Sequence, residues 1–276
     1  MEEVHGVLQT YAGVSVINAL PSWYGSSMAV NLTLEVNVTP SKECKSYSSL
    51  IDEIISYFRE KYDIPCIDVE VKSQIPQKSG LKSSSAVSTA LIAEIIKTFN
   101  LPITMSEVPK LSAILSIKAG VSYTGALDDA SSAFFGGVSY TYNKEFKILE
   151  MREPPSEISI IIVPRGGREV KIDMREMRKF EPLFRELFAL SRRDIITAMK
   201  LNGLAIGSIL GYDLTLANEA LKRGALASGI SGNGPSLFAV TKKGEEGTIL
   251  DLFEKSGEKS IVVEPVGLCE QRLRGQ

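Results

Sequence analysis

Three stretches of this chain carry residue types at spacings that could do chemistry. In Pro76-Gln77-Lys78-Ser79-Gly80-Leu81-Lys82-Ser83-Ser84-Ser85-Ala86, a glycine and three consecutive serines run into a segment with no breaker before Asn100-Leu101-Pro102. This predicts a tight loop entering a helix. The free N–H groups and positive dipole end of a helix N-terminus favour an anion, and serine hydroxyls and a lysine add donors without bulk, which is phosphate chemistry. The alternative is that Ser83, Ser84 and Ser85 only cap a buried helix, since serine is a preferred N-cap.

The second stretch holds Asp128 and Asp129 among small and aromatic residues, with no other charge between Lys118 and Lys144. Such acids are costly unless hydrogen-bonded or used. One of them could accept or orient a hydroxyl proton, or could cap the short helix predicted over 130–135. In the third stretch, 227–236, Gly229, Gly232 and Gly234 fall within six residues around Ser231 and Asn233. They let the main chain approach a ligand closely, or form only a turn before a strand.

Elements to position these groups follow from periodicity. Partial alternation over 28–38 predicts short strands across 7–38, interrupted by a loop over 18–25 in which Trp23 packs. A helix is expected over 47–61, and a strand over 67–72 leads into the serine loop. Val87, Leu91, Ile95 and Phe99 recur every four positions and make the next segment a helix. Another is predicted over 106–119, capped by Ser106 with Pro109 in its first turn. A hairpin over 138–151 precedes Pro154-Pro155, the expected lobe boundary. Beyond it the sequence predicts a strand over 158–163, helices over 171–208, a strand over 237–241, a helix over 245–255 and a strand over 260–266. Arg192-Arg193 reads as a solvated face, whereas Arg165 and Arg168 in a glycine-containing loop could fork a carboxylate.

Composition narrows the function. At 276 residues the chain can bury a large core, and 31 basic against 33 acidic residues give a net charge of −2, which argues against nucleic acid as a partner. The single histidine, His5, nearly excludes histidine triads and multi-histidine metal sites. Three widely spaced cysteines, Cys44, Cys66 and Cys269, suggest neither a disulfide framework nor a metal site and point to a reducing compartment. No stretch approaches the roughly 20 apolar residues of a membrane span, so a cytoplasmic protein acting on small molecules is expected.

GxxxxGK[ST] and GxGxxG are both absent. The three stretches, in this order, resemble instead the GHMP kinase superfamily, with its PxxxGLxSSxA loop, its aspartate loop ending in Gly-Gly and its late glycine-rich motif. Lys82, where most members have glycine, together with Thr124-Gly125-Ala126-Leu127-Asp128-Asp129-Ala130 and Phe135-Gly136-Gly137, is similar to the archaeal-type shikimate kinases. Those enzymes phosphorylate the shikimate 3-hydroxyl with ATP and share no fold with the P-loop shikimate kinases.

The resemblance implies a two-lobed α+β fold, a ribosomal S5-like lobe over 1–153 and a ferredoxin-like lobe over 154–276, with ATP and Mg²⁺ between them. Gly80, Leu81, Lys82, Ser83, Ser84 and Ser85 would wrap the triphosphate, Ser84 near the metal. Ser231, Gly232, Asn233 and Gly234 would close over nucleotide and substrate. Counting back from Gly136-Gly137 sets Asp129 at the catalytic position and Asp128 beside it, as a substrate contact. Lys118 stands where many members carry a Mg²⁺-binding glutamate, and the lysine that some members have near the N-terminal loop is not evident over 18–25. Arg165, Arg168 and Lys118 are the candidates for the shikimate carboxylate. A different small alcohol, such as homoserine or mevalonate, and a non-catalytic ligand sensor are the competing readings, and the sequence sets no oligomeric state.

Overall fold

The computed structural model describes residues 8–76, 80–166 and 170–274. His5 and Arg168 lie outside the described residues. The first half runs β1 (Gln9–Ile17), α1 (Ala19–Ser22), β2 (Tyr24–Ser41), α2 (Ser49–Tyr62), β3 (Cys66–Ser73), α3 (Ser83–Thr98), α4 (Val108–Lys118), α5 (Leu127–Phe135), β4 (Val138–Tyr142) and β5 (Lys147–Arg152). The second half continues β6 (Ile158–Val163), α6 (Met174–Arg178), α7 (Glu181–Ser191), α8 (Ile195–Ile209), α9 (Thr215–Lys222), β7 (Ala227–Ile230), β8 (Leu237–Lys242), α10 (Gly247–Lys255), β9 (Ile261–Val263) and α11 (Glu270–Leu273).

The first sheet is organised on β2. This 18-residue strand pairs with β1 along one edge, and its other edge takes β4 at Tyr24–Met28 and β3 at Leu34–Ser41, all antiparallel. The expected short antiparallel strands are thus the nine-residue β1 and the 18-residue β2, and the expected loop over 18–25 shrinks to the single turn of α1. Helices α3 and α5 lie directly on this sheet, with α2 and α4 packed against them. Because α7 and α8 of the second half also pack on β1, every residue of Ala12–Ile17 is buried.

In the second half the strand order is β7-β8-β6-β9, antiparallel throughout, with helices between β6 and β7 and between β8 and β9. That is the ferredoxin-like βαββαβ arrangement. Its sheet is buried on both faces, which is why Ile158-Ser-Ile-Ile-Ile-Val163 shows almost no polar alternation. Ile160 and Ile162 join the main core shared by both halves, while Ile161 and Val163 join a second cluster under α9 and α10. β7 lies inside the glycine-rich stretch, and it and α9 were not legible in the sequence.

Pro154-Pro155 falls between β5 and β6. The chain then returns at its far end. After β9, the Val266 N–H donates to Ala29 O at 3.0 Å, and the Gly137 N–H donates to Val266 O at 2.9 Å, so a C-terminal strap fills the edge of β2 between β3 and β4. We propose 1–153 and 154–276 as the two lobes, with this strap crossing from the second onto the first.

Two expectations are corrected. Cys44 and Cys66 form a disulfide, with Cα atoms 5.0 Å apart. The antiparallel register sets Ser41 opposite Cys66, and the chain folds back through α2, which linear spacing does not reveal. Second, the helix expected over 106–119 begins as a 3₁₀ turn, Met105–Glu107, entered at Thr104, whose N–H donates to the Glu107 carboxylate at 3.1 Å.

Candidate active site

The serine loop and α3 arise as the sequence pattern predicts, but the serines are not the cap. Lys82 occupies the N-cap position with φ +65° and makes no side-chain capping bond, while Ser83, Ser84 and Ser85 form the first helical turn. The Ser85 N–H donates to Lys82 O at 3.0 Å and closes the turn. The loop is fixed to the sheet by the Gly13 N–H, which donates to Leu81 O at 3.1 Å. Gly80, at φ +72°, abuts the other lobe: a Cβ there would lie 3.4 Å from the Ser236 Cβ.

α5 is likewise entered through a left-handed residue, Ala126 (φ +52°), again with no side-chain cap. Asp128 and Asp129 therefore sit in its first turn, where the helix dipole favours negative charge, and neither acts as the cap. Their environments differ. Asp128 Oδ1 accepts from Asn143 Nδ2 at 2.8 Å. The carboxyl lies against β2 so closely that a Cβ on Gly25 would be 2.5 Å from its Cγ. Burial, and then the neighbouring Asp129, push the Asp128 carboxyl up to about 7. Asp129 Oδ2 pairs with Lys82 Nζ at 3.1 Å, whereas Asp129 Oδ1 is buried with no hydrogen-bond partner among the described residues.

Two cavities meet at this pair. The larger, of about 510 Å³, is lined by Gly80–Ser85 from one side and Gly232, Asn233 and Gly234 from the other, with Ser116 and Asp129. The smaller, of about 100 Å³, is lined by Ser15, Asn18, Thr124, Asp128 and Asp129, with Tyr123 at its rim. Lys82, Asp129 and Asn233 belong to both.

The glycine-rich connection between β7 and β8 is held over the site by defined contacts. The Gly234 N–H donates to Ser231 O at 3.0 Å, and Tyr212 Oη donates to Asn233 O at 2.9 Å. Asn18, at the N-cap of α1, donates from Nδ2 to Gly232 O at 3.1 Å and to Asn233 Oδ1 at 2.7 Å. Ser231 Oγ is buried with no partner among the described residues.

Gly80–Ser85, Asp128, Asp129 and Gly232–Gly234 are thus brought together around the two cavities, and Ser231 adjoins them. Arg165 is not among them. Its guanidinium donates to Glu258 Oε1 at 2.9 and 2.6 Å, and it lines neither cavity. Lys118, at the end of α4, lies 5.8 Å from the centre of the Tyr57 ring and also lines neither. Trp23 packs under Arg178, 4.0 Å from the ring centre. Sequence reading missed Asn18, Asn143 and Ser116. Asn18 had a signal, since asparagine before a short helix is a preferred N-cap; Asn143, in a hairpin tip, had none.

No group of three or more His, Cys, Asp or Glu side chains that could hold a metal occurs among the described residues. The donors at the larger cavity are hydroxyls and amides, with Asp129 the one carboxylate there among the described residues. Such a set fits Mg²⁺ in its usual nucleotide-bound mode, in which phosphates and water supply most ligands.

This fold, with a serine-lined helix start set beside an acid at a cavity junction, is that of a GHMP-type kinase, and the family description "GHMP kinases N terminal domain" matches residues 49–137. Solved structures with this fold include a mevalonate kinase (TM-score 0.73, 14% identity, 94% of this chain and 99% of the other) and a homoserine kinase from Cytophaga hutchinsonii (TM-score 0.67, 17% identity, 97% of each). Among curated relatives, a shikimate kinase of Archaeoglobus fulgidus is 32% identical over 90% of this chain and 89% of its own. One of Methanothermobacter thermautotrophicus is 33% identical over 92% and 93%. The chain belongs to the archaeal-type shikimate kinase family of the GHMP superfamily.

Proposed function

We propose that this protein transfers the γ-phosphoryl group of ATP to the 3-hydroxyl of shikimate, giving shikimate 3-phosphate for the chorismate route to aromatic amino acids. Family membership supports the activity, and one observation carries the site assignment. Asp129 Oδ1, without a hydrogen-bond partner among the described residues, stands where a cavity walled by the start of α3 meets a smaller polar one.

In this reading ATP occupies the larger cavity, its triphosphate wrapped by Gly80–Ser85. Amides at the start of α3, the serine hydroxyls and the helix dipole hold the phosphate charge. Ser231–Gly234 close over nucleotide and acceptor from the second lobe. Ser84 would contribute a hydroxyl to Mg²⁺, which when bound would neutralise phosphate charge. Shikimate occupies the smaller cavity, with Asp128 beside it.

Transfer through a loose transition state asks mainly for positioning and charge stabilisation. Asp129 orients the acceptor hydroxyl through Oδ1 and takes its proton late, as the oxygen–phosphorus bond forms. Asp128 and Asn143 hold the floor against β2. With Arg165 committed to Glu258 and Lys118 turned to Tyr57, Lys82 is the one cation lining either cavity among the described residues. No helix of the described residues is long and apolar enough to cross a membrane, and the reading locates the reaction in the cytoplasm with its ATP.

The test is coupled measurement of ADP release with ATP and Mg²⁺, offering shikimate, homoserine and mevalonate separately, beside Asp129→Asn. Turnover with shikimate that falls at least about 100-fold in the mutant is expected, the scale of a lost base. Turnover with a different alcohol alone would discard shikimate and keep the kinase. Nucleotide binding without turnover would revive the ligand sensor.

A further inference from the structure

Lys82 holds a left-handed backbone, φ +65° and ψ +30°, in which a side chain is disfavoured and glycine is not. Among the described residues five other non-glycine residues have positive φ: Asp63 and Asn100 follow helices and are types that tolerate it, Trp23 and Phe146 close short helical turns, and Ala126 enters α5 as Lys82 enters α3. Lysine is not such a type, and its side chain makes no cap. A disfavoured conformation kept beside a site points to a use for the side chain.

That use is visible in its path. The stem runs between two glycines: a Cβ on Gly13 would lie 3.3 Å from Lys82 Cγ, and one on Gly232 would lie 2.9 Å from Nζ. A larger residue at Gly13 would press on the stem, and one at Gly232 would meet the ammonium end. The ammonium ends 3.1 Å from Asp129 Oδ2, with the side chain 15% exposed, at the junction of the two cavities.

We propose that Lys82 is a catalytic residue, its ammonium holding Asp129 Oδ2 so that Oδ1 faces the acceptor, and touching the phosphoryl group as it passes between the cavities. The inference rests on the reading of Asp129 as proton acceptor. In the step, the acceptor oxygen bonds to the γ-phosphorus, the bond to the β–γ bridging oxygen breaks and its electron pair leaves on ADP. The hydroxyl proton goes to Asp129 Oδ1, and Lys82 keeps its proton throughout.

Lys82→Gly separates this role from a structural one, because glycine suits the backbone better than lysine. Lys82→Met keeps the stem between Gly13 and Gly232 and loses only the charge. Both are compared with Asp129→Asn in the full chain for kcat, both KM values and Tm. The expected result is a Tm of Lys82→Gly no lower than that of Lys82→Met, since both lose the ion pair and only glycine suits the backbone, with kcat down about 100-fold or more in both lysine variants and the ATP KM changed less than about fivefold. Near-parental kcat in either variant, or an effect confined to the ATP KM, overturns the proposal. If Asp129→Asn is inactive while Lys82→Gly is active, only the lysine's role fails; if Asp129→Asn keeps its kcat, the underlying reading fails as well.

Discussion

The backbone N–H of Asn18 donates to the side-chain oxygen of Asn202 at 2.9 Å, joining residues 184 positions apart. Asn202, on α8 of the second lobe, accepts this bond although its own Nδ2 is buried without a partner among the described residues. From the same residue the Asn18 side chain caps α1 through the Leu20 N–H and reaches Gly232 and Asn233. Asn18 therefore sets the position of the glycine-rich connection relative to the first lobe.

Asn18→Ala removes three side-chain bonds at once. Each such bond is worth about 1 kcal/mol net, so a loss of about 2–4 kcal/mol is expected, read as a lower urea midpoint at unchanged slope. Because Gly232 and Asn233 line the larger cavity, which we propose holds ATP, the ATP KM should rise in the folded variant. An unchanged KM would mean that the connection finds its place without Asn18.

Asp128 gives a pH dependence with a definite sign. Its carboxyl is held at about 7 in the native chain against 3.8 when free, chiefly by burial and then by Asp129. Below pH 3.8 both states carry the proton. Between 3.8 and 7 the unfolded chain ionises while the native one stays protonated, so this group lowers stability progressively as pH rises and levels off above 7. Asp128→Asn keeps an acceptor for Asn143 and does not titrate. Its stability gain over the parent should be small at acid pH and grow to the order of 2–4 kcal/mol on the alkaline side. A gain independent of pH, measured by denaturation across that range, would show that Asp128 does not titrate this way.

What was legible in the sequence was local. The α3 helix followed from Val87, Leu91, Ile95 and Phe99 and its start from Gly80 and the serines, while Asp128 and Asp129 stood out as isolated charge. Each signal lies within a few turns of chain, where periodicity and composition act. What was not legible depends on register between distant elements. Asn143 reaches Asp128 because β4 carries it past the start of α5, and Asn202 reaches Asn18 because α8 packs on β1. That Lys82 belongs to a loop could be read, but not that its ammonium ends on Asp129 of α5. Arg165 looked free in sequence because Glu258, which takes its charge, lies 93 residues away.

The Cys44–Cys66 disulfide was missed for the same reason, and it makes a prediction of its own. It spans 22 residues and ties the segment before α2 to the start of β3, a strand paired only with β2. Closing a loop of that size restricts the unfolded chain, so reduction should cost about 3 kcal/mol of stability. Neither cysteine lines the two cavities, so kcat well below the melting range should not change. Cys44 is exposed and Cys66 half-buried, which gives a reductant access. Thiol titration of the denatured, unreduced protein should find one free thiol, Cys269, and titration after reduction should find all three. Urea unfolding with and without reductant then measures the contribution. Three free thiols in freshly purified protein, or an unchanged urea midpoint on reduction, would remove the disulfide from any account of this fold's stability.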